Sequence, residues 1–222
     1  MESLFADLGT IFSALQTQDA WEISDAFNSN AVWLFGAIFT FVGAAIVMVL
    51  YRFIPFLDQY LESSIMIVSY LLIAVIIFVS VVARFGFNYS ESWTATIPPY
   101  WFLVMTWVGC SLNVRKRSHL SFNEIRTNLP RFGQLICLTL DMILWCTFSW
   151  LVVTVSLRFT AKSASNYAMV IGTDDTMKWW FLIIVPISFT VMAARAIQVY
   201  IEDIQNYRSG KDMVFQAAIG SD

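Results

Sequence analysis

The sequence predicts an all-α membrane protein with five transmembrane helices, and three observations carry that reading. Of 222 residues, 58% are hydrophobic and only 13% charged, about half the charged fraction of an average soluble domain. The charges are clustered, leaving long uncharged stretches that a water-soluble fold of this size does not need. No segment shows the roughly ten-residue alternation of an outer-membrane barrel. In hydrocarbon every backbone amide must find its partner within its own segment, so the spans are helices.

Residues 31–51, 63–83 and 92–114 contain no Asp, Glu, Lys or Arg. Residues 132–157 and 179–201 reach spanning length by accepting one ionisable residue each, Asp141 and Arg195. The third helix is expected to start at Pro98-Pro99, because proline suits a first turn and not a helix interior. Before the first span, Leu4, Phe5, Leu8, Ile11, Phe12 and Leu15 recur with the rhythm of an amphipathic helix, which would lie flat on the membrane surface. After the third span, Ser121 to Glu124 reads as a capping box, with Phe122, Ile125 and Leu129 on one side and Pro130 as a stop. A short interfacial helix is expected there. Gly36 and Gly43 in the first span, and Ala193 and Ala194 in the fifth, permit close helix packing.

Orientation follows from the basic residues. Arg52 follows the first span; Arg115, Lys116, Arg117, Arg126 and Arg131 follow the third; Arg208 and Lys211 follow the fifth. The other side has Arg84, Arg158 and Lys162, and the first thirty residues contain no Lys or Arg. The positive-inside rule then places the C-terminus in the cytoplasm and the N-terminus outside. The N-terminus, MESLFADLGTIFSALQ, has acidic residues where a secretory signal has basic ones, so no cleavable signal is expected.

Composition argues against chemistry. The single histidine, His119, lies in the basic loop and leaves no bis-histidine haem site or histidine-rich metal cluster within the chain. There is no phosphate-cradling glycine loop, no GxSxG elbow and no basic patch for nucleic acid. Cys110, Cys137 and Cys146 fall inside apolar stretches and read as small packing residues. No enzyme activity and no cofactor is expected. Trp93, Tyr100, Trp101, Trp179, Trp180 and Tyr200 lie near span ends, where aromatic side chains anchor to phospholipid headgroups. Asp141 and Arg195 both fall in the cytoplasmic half of sequence-adjacent helices, and they are expected to pair between them.

Arg84, Trp93, Gly109, Arg115, His119 and Pro130, within RFGFNYSESW and WVGCSLNVRKRSHLSFNEIRTNLP, resemble the small membrane subunit of tripartite ATP-independent periplasmic (TRAP) transporters, the DctQ-like family. The resemblance covers residues 60–205. It implies a four-helix small-subunit core there, with 1–30 as an extracytoplasmic amphipathic segment, 31–53 as an additional N-terminal span and 206–222 as a cytoplasmic tail. Where family members carry acidic residues just after the tryptophan, this chain has Thr94, Ala95 and Thr96; after the histidine, an aspartate is replaced by Asn123 followed by Glu124. By the same resemblance, the chain is a non-catalytic subunit of the bacterial inner membrane. It would scaffold a large membrane subunit that imports an organic acid anion with sodium, supplied by a periplasmic substrate-binding protein. Asp141, Arg195 and Lys116 to Arg117 would serve structure or the lipid and partner interface. A self-sufficient homo-oligomeric transporter or channel is the alternative; it would call for inverted repeats or broken paired helices, and neither is visible.

Overall fold

The structure, a computed structural model, describes residues 2–117, 126 and 128–213. It consists of α1 (Glu2–Thr17), α2 (Ala20–Ala26), α3 (Ala31–Phe53), α4 (Pro55–Gly86), α5 (Trp93–Arg115), α6 (Arg131–Ser165), α7 (Trp179–Leu182) and α8 (Ile184–Ser209). Among the described residues four stretches are long and apolar enough to cross a membrane: α3, α4, α6 and the continuous run Trp179–Ser209. The third expected span, α5, has 23 residues, yet its composition leaves it outside that set.

The start of α5 corrects the sequence reading. The helix begins at Trp93 and carries Pro98 and Pro99 inside it. Each proline removes a backbone donor and crowds the carbonyl one turn back, so the first turn needs support from elsewhere. Three-residue turn bonds supply part of it, from the Thr94 and Ala95 amides to Glu91 O and Ser92 O, both at 3.3 Å. The rest comes from the loop after α6. There Val170 N donates to Thr176 O at 2.9 Å and Lys178 N to Ala168 O at 2.8 Å, forming a small hairpin with Gly172 at its tip in a left-handed conformation, φ +81°. A Cβ on Gly172 would stand 2.7 Å from Ser92 Cβ and 3.2 Å from Trp93 N, so only glycine lets the tip press on the start of α5.

Helix α5 runs antiparallel to α4 over their shared length. At one end Ser80 Oγ and Thr94 Oγ1 share a hydrogen bond at 3.1 Å; at the other, Arg115 Nη2 meets Asp58 Oδ2 at 3.2 Å. About twenty-two residues of α4 separate these contacts, or ~33 Å of helix. Gly109 keeps the two axes close, its α-carbon facing the Met66 side chain.

Helix α3 packs against both α6 and α8 along a seam of small residues. A Cβ at Gly36 would run into the Thr154 side chain and come within 3.2 Å of Thr154 Cα; one at Gly43 would stand 2.6 Å from Thr190 Cγ2. Thr40, between them, is fully buried and spends its hydroxyl on Gly36 O at 2.7 Å. One turn on, Ala44 packs with Ala193 and Ala194 of α8. Small side chains give the contact area that substitutes for a hydrophobic drive between helices in lipid. The larger buried cluster joins Ile11 of α1, Phe27, Val32 and Phe35, Val153 and Leu157 of α6, and Phe189 and Met192 of α8.

The N-terminal stretch is helical as α1, with Ile11 and Ala14 buried and Phe5, Phe12 and Leu15 exposed. The interfacial helix expected at residues 121–129 lies largely outside the described residues; Arg126 is helical.

Replacing Gly36 by valine would force α3 from α6, and overpacking of this kind costs about 1–3 kcal/mol. Gly9, in α1, has nothing within 4 Å of an added Cβ, and alanine there gains ~0.5–1 kcal/mol of helix propensity. In detergent melts Gly36→Val is expected to lower the transition temperature while Gly9→Ala holds or raises it. Equal melting of Gly36→Val and parent would show that α3 does not depend on this seam.

Candidate functional site: a buried ion network joining four helices

The most polar feature of the interior lies where α3 ends and α4 begins. Pro55 opens α4 at its first turn, where a missing amide costs nothing, and the helix then carries Asp58 and Glu62 four residues apart on one face. Arg115 ends α5. Arg195 and Gln198 lie three apart on α8, again one face.

These residues converge on the Arg195 guanidinium, which has no exposed surface. Its Nε donates to Glu62 Oε1 at 2.8 Å, Nη2 to the Asp58 carbonyl at 2.8 Å and Nη1 to Gln198 Oε1 at 2.8 Å; Nη1 also pairs with the Asp58 carboxylate. The Tyr51 ring of α3 lies 4.1 Å from the guanidinium carbon, close enough for cation–π attraction. Arg115 donates to the Asp58 carbonyl and holds the Asp58 carboxylate. Two guanidiniums thus face two carboxylates, and the network is neutral. That balance matters because an uncompensated charge in low dielectric is worth several kcal/mol against the fold. Arginine suits the task through its planar fork of five donors, where lysine offers three on a point charge.

The expected pairing of Asp141 with Arg195 is corrected. Asp141 instead meets Arg126 at 2.6 Å. Helices α6 and α8 do pack together, through Cys146, Val153 and Leu157 on one side and Phe189, Met192 and Ala196 on the other. At 100° per residue, however, Asp141 sits more than about 90° round α6 from that seam. At that level Thr139 Oγ1 and Tyr200 OH bridge the two helices at 3.0 Å.

The other sequence-selected residues scatter. Arg115 joins Arg195 in the network. Arg117 binds Asp203 of α8 at 2.6 Å, Lys116 is exposed, and Pro130 is the N-cap of α6. Arg84 lies in the last turn of α4 with its guanidinium 5.9 Å from the Phe85 ring. Trp93 lines a small crevice of 250 Å³ between the end of α4 and the start of α5. His119 falls outside the described residues. Asp58 and Glu62 escape the sequence reading because hydropathy ends one span at 51 and begins the next at 63, which makes the intervening residues look like loop; Tyr51 falls at the very end of the first span, where nothing in the sequence marks it as facing a charge. The signal was present: Pro55 as a helix start, followed by carboxylates at i and i+4.

A second arginine works at the opposite end of the bundle. Arg158 of α6 donates from Nε to Phe27 O and from Nη2 to Ser29 O, both at 3.0 Å, capping the Phe27 carbonyl where α2 stops and sharing Ser29 O with the Val32 amide. Trp150 Nε1 donates to Trp33 O at 3.0 Å. Among the described residues no group of three or more His, Cys, Asp or Glu could hold a metal ion.

Arg195→Met strands two carboxylates beside one guanidinium and should cost about 3–5 kcal/mol. Adding Glu62→Gln restores neutrality, so the double variant is expected to melt above the single one. Asp141→Asn combined with Arg195→Met should give additive losses, since distant sites do not couple. A large coupling between 141 and 195, or an Arg195→Met chain as stable as the parent, contradicts this network.

The comparisons with known proteins bear on the same helices. The family described as tripartite ATP-independent periplasmic transporters, DctQ component, matches residues 73–206, from the middle of α4 to the last turns of α8 and more than half of the chain. A Haemophilus influenzae protein named as a TRAP transporter small permease protein is 29% identical over 113 residues, covering 51% of this chain and 70% of that relative. Arg115 and Arg195 lie inside the family match; Tyr51, Asp58 and Glu62 precede it. The chain belongs to the DctQ family of TRAP transporter small permease subunits.

Proposed function

We propose that this chain is the non-catalytic scaffold of a sodium-coupled TRAP importer of an organic acid anion. It would brace a large permease subunit that receives substrate from a periplasmic binding protein. The observation that carries the reading is the neutral ion network. Arg195 and Arg115 are consumed by Asp58 and Glu62, Arg158 by backbone carbonyls and Asp141 by Arg126. A hydrated carboxylate needs unspent donors on its path, and these side chains offer none. Helix α4, by contrast, has only 6% of its most apolar window buried and presents Phe78, Phe85 and a run of valines and isoleucines outward, ample surface for another membrane protein.

The same reading takes α5 as a fifth span. Hydropathy alone does not select it, but its antiparallel pairing with α4 from Thr94 to Arg115 carries it across whatever thickness α4 crosses. Five spans put the N-terminus in the periplasm and the C-terminus in the cytoplasm of a bacterial inner membrane. The basic residues support this: Arg115, Arg117, Arg131 and Lys211 gather at the Arg195 end, where Arg131 Nη2 donates to Lys211 O at 2.7 Å.

Impermeant thiol labelling of intact cells tests the topology. Cysteines replacing Glu2 and Lys162 are expected to react from outside, and one replacing His119 only after the cells are opened. Protection at position 2 with reaction at 162 would remove one of the spans.

The scaffold reading makes a separate demand. His119→Ala should slow uptake no more than it lowers the amount of assembled complex. A variant that assembles fully with its large subunit and binding protein, yet transports nothing, would give this chain a direct part in transport.

A further inference from the structure

We propose that α1 is a lipid-embedded interfacial helix: its Phe5, Phe12 and Leu15 edge lies in the acyl boundary of the same bilayer that α3 crosses. The inference rests on the reading that α3 spans the membrane. The helix has three sectors. Ile11 and Ala14 are buried on the side that faces the bundle. Phe5, Phe12 and Leu15 are exposed, at 65%, 48% and 39%, and fall within roughly 80° of one another at 100° per residue. Thr10 and Ser13 are exposed on the remaining side and return their hydroxyls to Asp7 O and Thr10 O at 2.7 and 2.9 Å.

Depth comes from a ring contact. Phe12 meets Phe35 edge-on with centroids 5.7 Å apart. Phe35 is four residues into α3, ~6 Å below the start of that span. Interfacial helices bury their apolar faces about 5–10 Å into the headgroup and acyl boundary, so the contact puts α1 at that level. Trp21, at the start of α2, is 70% exposed, as an interfacial tryptophan would be.

The occupant is lipid rather than another protein. A lasting protein interface covers about 800 Å² on each partner, and a strip of three side chains with Thr10 and Ser13 on the far side of the helix is too narrow for that. The attraction is also purely apolar. The first Lys or Arg in the chain is Arg52, so neither anionic lipid nor low salt is required.

The full chain would be purified through a C-terminal tag with whatever subunits accompany it and placed in phosphatidylcholine nanodiscs. Nitroxides on Phe5→Cys, Leu15→Cys, Thr10→Cys and Ser13→Cys, in a chain whose native cysteines are alanine, report collisions with oxygen and with a water-soluble nickel chelate. Oxygen should be favoured at 5 and 15 and the chelate at 10 and 13, with no change at high salt. Chelate access on both edges, or exclusion of both reagents at 5 and 15, overturns the proposal in favour of water or of a covering protein. A label at Phe78→Cys on α4 separates the two readings: water access there removes the membrane-spanning reading itself. Should the cysteine-free chain fail to fold, p-benzoylphenylalanine placed at Phe5 in the native chain gives the same decision, since a phospholipid adduct supports the proposal and a polypeptide adduct or none defeats it.

Discussion

A guanidinium cannot be left unpaired in hydrocarbon, and the arrangement of four helices answers that constraint. Arg195 has no exposed surface, so every donor it presents must find an acceptor within the chain. Its partners come from α4 and α8, its aromatic floor from α3, and its second guanidinium neighbour from α5. Moving α4, α5 or α8 by a turn would separate a charge from its counter-charge, and moving α3 would take the Tyr51 ring off the guanidinium. Apolar packing between helices is permissive about register, because lipid competes on equal terms with side chains. The ion network therefore sets the register, and the seam of Gly36, Gly43 and Ala44 lets the backbones come as near as that register demands.

The division of the network between two parts of the chain ties the residues upstream of the family match to those within it. Arg115 and Arg195 fall within the family match at 73–206; their carboxylates and the aromatic floor lie upstream, in Tyr51, Asp58 and Glu62. The span α3 is thus not a loose leader on a finished core. It fills the groove between α6 and α8 and closes one side of the buried arginine. Arg158 ties down the opposite end of the same region by donating to the carbonyls of Phe27 and Ser29.

Much of this was legible in the sequence, and the misses share a cause. Helical class, the apolar segments at 31–51 and 63–83, the amphipathic α1 and the small residues of the α3 seam follow from periodicity and composition, which are local properties. The partner of Arg195 did not follow, because choosing between Asp141 and Asp58 requires the angular position of each side chain on a helix whose start is known. Hydropathy gave α4 a start at 63; the helix begins at Pro55, and those eight residues bring two carboxylates into the fold. The prolines of α5 misled in the same way. A rule for isolated helices places Pro98-Pro99 at a first turn, whereas the hairpin tip at Gly172 supports an extra turn from outside.

Helix α5 shows what hydropathy leaves out when it selects four crossings among the described residues. Hydropathy scores a helix as if lipid surrounded it. A helix enclosed by others needs fewer large apolar groups, because its neighbours, not lipid, cover its surface. In α5 the buried side includes Gly109, Ser111 and Pro98 beside Val104, Val108 and Leu112, small enough for α4 and α8 to approach closely. Helix α4 carries the complementary burden, with the highest hydropathy of the spans and the least of it buried. The pair divides its surface unevenly: α5 turns seven buried residues toward its neighbours while Phe102 and Leu103 stay exposed, and α4 keeps nearly all of its apolar window outward.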